Sequence, residues 1–196
     1  MNDFFQVFGL ERRLAIDTAA LQRRFYELSR QWHPDFHQRQ PEAEQARALE
    51  ESARVNAAYR ALRDPIARVE YLIRLEEGRE TREGAAVKPK APPDLLTEMF
   101  EIQESLEEAR SGALDDTTRA TLTEQRDALR ARMTEAERTL TGPLSQAWDA
   151  AAPGERAAAM SALKDALATR AYLRTVIDDL TAALGEEETH VAHRRD

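Results

Sequence analysis

Residues 18–35 read TAALQRRFYELSRQWHPD, an amphipathic segment that ends in the tripeptide His-Pro-Asp. Its apolar residues recur at steps of four, three and four, which is the spacing of one face of an α-helix: Leu21, Phe25, Leu28 and Trp32. Asp17 or Thr18 is a suitable N-cap. The helix must end before Pro34, because proline lacks the amide hydrogen that a helix interior needs and disfavours the α conformation of the preceding residue.

Two more helices are predicted after a polar loop that extends to Pro41. The first runs from Pro41 to Arg63, and its apolar stripe is supplied by Leu49, Val55, Tyr59 and Leu62. Asp64 then caps a short helix in which Pro65 fits the first position. Together with a small helix from Phe4 to Phe8, these segments predict a hairpin of antiparallel helices that occupies residues 1–75.

The second half of the chain predicts a separate helical domain. Residues 76–93 contain glycine, proline and charged residues without apolar periodicity, so they are interpreted as a linker. Residues 94–186 predict an antiparallel three-helix bundle, followed by a polar tail at 187–196. The predicted inward residues are Leu95, Met99, Ile102 and Leu106; Leu122, Leu129, Met133, Ala136 and Leu140; and Met160, Leu163, Leu167, Leu173, Ile177, Leu180 and Leu184. The second bundle helix is expected to stop at Gly142-Pro143. The predicted fold class is all-α.

Composition supports this fold class and restricts the chemistry. The 196 residues are 42% hydrophobic, 6% aromatic and 33% charged, which is typical of helical proteins and argues against a β-barrel. Cysteine is absent, which excludes disulfides, thiolate metal sites and cysteine nucleophiles. The net charge of −8 is uneven, with +1 on residues 1–75 and −9 on the remainder. This balance argues against a nucleic-acid partner and indicates different partners for the two halves.

The sequence also bears on location. No run of about 18 apolar residues is present, and the first ten residues, MNDFFQVFGL, lack the basic region of a secretory signal. We therefore expect a cytoplasmic protein with no membrane partner.

Candidate catalytic and metal-binding groups are few. His33, Asp35 and His37 offer donors within five residues, which leaves a metal-dependent hydrolase as an alternative, although no fourth ligand follows at a familiar spacing. The pairs Asp115-Asp116 and Asp178-Asp179 are better explained as a helix cap and a solvated face than as catalytic carboxylates. No glycine-rich phosphate loop is found. Neither a cofactor nor catalysis by this chain is expected.

The His-Pro-Asp tripeptide belongs to a longer pattern. Asp3-Phe4-Phe5 and Phe8-Gly9-Leu10 precede it, and the run Asn56-x-Ala58-Tyr59-x-x-Leu62 follows it. This arrangement resembles a J-domain, the helical hairpin that docks on chaperone ATPases of the DnaK or HscA type and accelerates their ATP hydrolysis through the tripeptide.

The J-domain resemblance implies roles for residues around the tip. It implies that Asp35 makes an ionic contact with an arginine of the ATPase, and that His33 and Pro34 shape the loop. The basic residues Arg23, Arg24 and Arg30 would form a contact face on the preceding helix. A solvated face without a partner is the alternative for these three arginines.

Residues at the end of the hairpin resemble one family of J-domain proteins in particular. Asp64-Pro65, Arg68 and Glu70-Tyr71-Leu72, together with the acidic helical second half, are similar to HscB, a co-chaperone family that pairs a J-domain with a bundle carrying the scaffold protein IscU. Tyr26-Glu27 stands where many general J-domains have a basic pair, which favours the HscB type. The resemblance implies a non-enzymatic role in iron–sulfur cluster assembly. A general J-domain co-chaperone with another client is the alternative.

Scaffold binding is expected on the first helix of the bundle. Leu96 and Phe100 widen its apolar arc beside several carboxylates, which is the composition of a small interface with apolar anchors and a charged rim. Burial of both in the core is the alternative, because apolar residues at helical spacing are usually core. The resemblance implies that the scaffold is held by Leu96, Thr97, Phe100, Glu101 and Glu104, where Thr97 replaces a frequent methionine.

Overall fold

The computed structural model describes residues 3–78, 96–111 and 115–185. All regular structure in these ranges is helical, which confirms the predicted all-α class. The chain divides into two compact units. The first contains residues 3–78 and Leu140–Lys164, and the second contains residues 96–111, 115–139 and 165–185. The predicted linker beyond residue 78 and the predicted tail at 187–196 lie outside the described residues.

The N-terminal part of the first unit is the predicted hairpin with short flanking helices. Its helices are α1 (Phe4–Val7), α2 (Thr18–Gln31), α3 (Pro34–His37), α4 (Glu42–Arg63) and α5 (Pro65–Glu76). Asp17 caps α2 by accepting a hydrogen bond from the Ala20 amide at 2.9 Å. Asp64 caps α5 in the same way through the Ala67 amide at 2.8 Å. The predicted polar loop before Pro41 contains one helical turn, α3, because His33 provides an N-cap and proline suits the first position.

The hairpin core lies between α2, α4 and α5. The buried side chains are Leu21, Leu28, Ala48, Val55, Ala58, Leu62, Val69 and Leu72, and the Phe25 ring stacks on Tyr59 with centroids 4.0 Å apart. The prediction that Leu49 faces the core is wrong, since this residue is 62% exposed. Small Ala48 and Ala58 are fully buried on α4, so the spacing of large residues alone misplaced its inner face.

The predicted stop at Gly142-Pro143 is also wrong. Helix α7 (Asp116–Thr139) continues into a π-helical turn (Leu140–Leu144) and then into α8 (Ser145–Ala150). A π turn widens the hydrogen-bond ladder, so it accommodates Pro143, which has no amide hydrogen to donate. The Ser145 hydroxyl donates to the Leu140 carbonyl at 2.7 Å across this turn.

Residues 140–164 pack with the N-terminal helices, although the boundaries taken from the sequence follow chain order and place them in the bundle. The Asp149 carboxylate on α8 accepts hydrogen bonds from the Leu14 and Ala15 amides, both at 2.8 Å. Lys164, in α9 (Arg156–Ala183), pairs with Glu77 at 2.7 Å. This part of the C-terminal half therefore contributes directly to the first unit.

The second unit is formed by α6 (Leu96–Ser111), α7 and the part of α9 after Lys164. Its core consists of residues that were predicted to point inward: Ile102, Leu106, Leu122, Leu129, Leu173, Ile177, Leu180 and Leu184. Arg119 donates to the Leu184 carbonyl at 3.1 Å, and Arg170 pairs with Glu137 at 2.6 Å, so α7 and α9 run antiparallel. The predicted side-chain positions of Leu95 and Met99 lie outside the described part. No helix in the described ranges is long and apolar enough to cross a bilayer.

Candidate functional site

The tip of the hairpin presents the Asp35 carboxylate to solvent. Helix α2 ends at Gln31 with Trp32 as its C-cap, and His33 then caps α3: its Nδ1 accepts a hydrogen bond from the Asp35 backbone amide at 3.3 Å. The Gln38 side-chain Nε2 donates to Asp35 Oδ1 at 3.2 Å, and Asp35 Oδ2 lies 3.6 Å from His33 Nδ1. The Asp35 side chain nevertheless stays 69% exposed. The tip therefore holds an accessible acid in a fixed direction, which lowers the ordering cost of binding a cation.

A second set of contacts joins the tip to α2 and α4. The His37 Nε2 lies 3.0 Å from the Gln31 carbonyl at the end of α2, a distance and direction that fit donation from the ring. The Trp32 ring stacks on the His37 imidazole and also lies 5.7 Å from the Arg47 guanidinium. Gln45 on α4 donates to the Gln38 and Gln40 carbonyls at 3.2 and 2.8 Å. Sequence patterns did not identify Arg47 or Gln45, because each contacts the tip from another helix.

The geometry of the tip also bears on the metal-site alternative. His37 is directed to the Gln31 carbonyl, whereas His33 is directed to Asp35. In the ranges that the structure describes, no three histidine or acidic side chains are grouped as ligands of one ion. The three donors therefore do not converge as a metal-dependent hydrolase would require.

The exposed face of α2 carries the predicted basic residues. Arg23 and Arg30 are seven residues apart and therefore lie on the same side of the helix, opposite buried Leu21 and Leu28. Arg24 is also exposed, but its guanidinium pairs with Glu27 at 2.8 Å. The structure thus brings Arg23 and Arg30 together on one face and gives Arg24 a partner of its own.

Helix α6, which carries the predicted scaffold surface, has a buried side and an exposed side. Ile102 and Leu106 are buried in the bundle, whereas Phe100 is 69% exposed. Glu101 and Glu104 are exposed as well. Of the two expectations for Phe100, the structure therefore agrees with exposure. The side chains of Leu96 and Thr97 lie outside the described residues, so their place on this surface stays a prediction.

Comparison with known proteins covers most of the chain. Residues 3–71 match the family model described as DnaJ domain, and residues 91–181 match the HSCB C-terminal oligomerisation domain. The crystal structure of the human co-chaperone protein HscB is similar, with a TM-score of 0.62 and 25% identity over 93% of this chain and 82% of the human chain. The chaperone HscB from Vibrio cholerae gives a TM-score of 0.52 and 28% identity over 91% of this chain and 99% of that chain.

The two family matches follow each other along the chain and correspond to its two helical parts. The DnaJ-domain match contains the whole tip, including His33, Pro34 and Asp35, and the second match contains α6 and α7. Each similar structure aligns with 91% or more of this chain and is itself covered over most of its length. The chain belongs to the HscB family of J-domain co-chaperones.

Proposed function

We propose that this chain accelerates ATP hydrolysis by a chaperone of the HscA or DnaK type and delivers to it an IscU-type scaffold protein of iron–sulfur cluster assembly. The family supports a chaperone of the Hsp70 type as one partner. The observation that carries the proposal is the exposed Asp35 carboxylate, held in place by His33 and Gln38 at the end of the hairpin.

The chemistry of the tip suits a cationic surface. A carboxylate forms strong, directional hydrogen bonds with an arginine side chain, and Asp35 has lone pairs left for such a partner. His33 Nδ1 accepts from the backbone amide of Asp35, so this ring orders the main chain that carries the carboxylate. Arg23 and Arg30 would meet an acidic part of the same ATPase and steer its approach.

Helix α6 is the proposed scaffold surface. The exposed Phe100 ring supplies an apolar anchor, and Glu101 and Glu104 supply charge at its rim. Leu96 and Thr97 complete the proposed contact. A client that is held on the same chain meets the ATPase at a raised effective concentration, so delivery needs no catalytic group in this protein. We place the activity in the cytoplasm, where ATP is available and thiols stay reduced.

The ATPase role is tested with the full chain and a purified HscA- or DnaK-type chaperone in a steady-state assay. Asp35→Asn is expected to remove the acceleration and to leave the circular dichroism spectrum unchanged, because the side chain is exposed. Asp179→Asn, at an exposed acid of α9, is the matched control and should accelerate normally. Normal acceleration by Asp35→Asn would reject the proposed role of the tip.

The scaffold role is tested separately by calorimetry with a purified IscU-type protein. The double variant Leu96→Ala, Phe100→Ala should lose measurable binding, and unchanged affinity would reject this surface. If the wild-type chain accelerates the ATPase but binds no scaffold, the general J-domain co-chaperone with another client becomes the supported function.

A further inference from the structure

Phe36 is an apolar side chain in an unusual place. It directly follows Asp35 and is 65% exposed, a level shared in the described ranges by a few large apolar residues: Tyr26, Leu49 and Phe100. Single exposed apolar residues are common in proteins, so exposure by itself does not indicate a binding role. The position of Phe36 beside the accessible acid does distinguish it.

The Phe36 ring is oriented by the same residue that orients Asp35. The Phe36 amide donates to the His33 carbonyl at 3.0 Å, which closes the first turn of α3. Its ring meets the His33 imidazole edge to face, with centroids 5.9 Å apart and planes at 64°. His33 therefore lies next to both exposed side chains: its Nδ1 is 3.6 Å from Asp35 Oδ2, and its ring packs against the Phe36 ring.

We propose that Phe36 is a second anchor for the chaperone ATPase and enters an apolar depression bordered by the cation that pairs with Asp35. This inference rests on the proposed function, because it uses the same docked complex. The occupant follows from continuity with the Asp35 contact: both exposed side chains lie beside His33, so a partner that binds the carboxylate is close to the Phe36 ring. The partner surface is therefore mixed in character, with a guanidinium or ammonium group beside apolar side chains.

The two anchors should have separable effects. The Asp35 contact is charge-assisted and directional, which suits a residue that triggers hydrolysis. The Phe36 contact removes apolar area from water without a directional bond, so it should contribute affinity. Burial of most of one phenylalanine side chain corresponds to a change in dissociation constant of about tenfold or more.

The experiment titrates the full-length chain into a purified HscA- or DnaK-type chaperone and measures steady-state ATPase rates. Phe36→Ala should raise the concentration for half-maximal acceleration about tenfold, with the same maximal rate at saturation. Phe36→Leu, which keeps most of the apolar area, should recover most of the affinity. Leu49→Ala is the matched control, because it truncates an apolar side chain that is similarly exposed, on α4.

Three results would overturn the inference. In the first, Phe36→Ala and the wild type give the same titration. In the second, Phe36→Ala lowers the maximal ATPase rate as Asp35→Asn does, which would mean that Phe36 acts on hydrolysis itself and not on affinity. In the third, Phe36→Ala weakens binding of the scaffold instead. If the wild-type chain produces no acceleration, the proposed function and this inference fail together, whereas an accelerating wild type matched by Phe36→Ala rejects this inference alone.

Discussion

Asp149 and Arg68 hold the same short piece of backbone, one through its amides and the other through a carbonyl. The Asp149 carboxylate accepts from the Leu14 and Ala15 amides at 2.8 Å, and Arg68 Nη1 donates to the Leu14 carbonyl. Arg68 is only 4% exposed, and its Nε donates to the Leu62 carbonyl at 2.7 Å. Since the N-cap of α2 follows almost immediately, these bonds fix the start of the helix that leads to the tip.

Replacement of Asp149 by alanine should destabilise the chain by about 2 kcal/mol, because two amides lose a charged acceptor. Burial lowers the pKa of Arg68, whereas the charges of Asp64 and Asp149 favour its charged form. Loss of Asp149 therefore also weakens the compensation of a buried guanidinium. The free energy of unfolding in urea is the measurement, and Asp165→Ala, at an exposed acid of α9, is the control. Equal values for Asp149→Ala and the wild type would contradict the assigned role.

Tyr71 should make a pH-dependent contribution to the free energy of unfolding. Its hydroxyl accepts from the Phe4 amide at 2.8 Å, and burial raises the pKa of Tyr71 above its ordinary value of 10.0. A pKa raised in the folded state gives a stabilisation that is complete below about pH 10 and is lost as the pH rises through the folded value. Tyr71→Phe should therefore cost about 1 kcal/mol at neutral pH, with a smaller difference above pH 10. Urea unfolding at both pH values checks this, and a difference that grows with pH would be the contrary result.

The parts of the fold that follow local rules could be predicted from the sequence. The α2 boundaries, the Asp17 and Asp64 caps and the eight core residues of the second unit follow from spacing, proline positions and capping chemistry. The wrong predictions occur where tertiary packing or an unusual helix geometry determines the structure. Leu49 is exposed because the inner face of α4 begins at Ala48 and continues through Val55 and Leu62. Pro143 is tolerated because the helix there widens into a π turn.

The candidate site could be located from the sequence but not constructed from it. His33-Pro34-Asp35 marks the tip, yet the outward direction of the carboxylate depends on a hydrogen bond from Gln38 and on support by Gln45 and Arg47. Asp149 is separated from Leu14 by 135 residues, and no local pattern links them. Such contacts depend on tertiary packing, which periodicity does not describe.

The basic face of α2 predicts an unequal contribution from its three arginines. The double variant Arg23→Glu, Arg30→Glu should raise the half-maximal concentration for ATPase acceleration about tenfold at low salt, and added salt should reduce the difference. Arg24→Glu should have a smaller effect, because its guanidinium already pairs with Glu27. Arg174→Glu, at an exposed arginine of α9, is the control. An effect of Arg24→Glu equal to that of the double variant would contradict the prediction.

Two kinds of variant on the proposed scaffold surface should weaken scaffold binding, and they should differ in their dependence on salt. Phe100 is 69% exposed and would bury apolar area on binding, so Phe100→Ala should weaken binding about tenfold at any ionic strength. Glu101→Gln with Glu104→Gln removes exposed charges, so it should slow association mainly at low salt and have little effect when charges are screened. Calorimetry and stopped-flow association with an IscU-type scaffold at two salt concentrations measure both effects, with Asp179→Asn as the control. If Phe100→Ala and the glutamate variant respond to salt in the same way, the division between apolar anchor and charged rim on α6 is wrong, because apolar burial is not screened by ions.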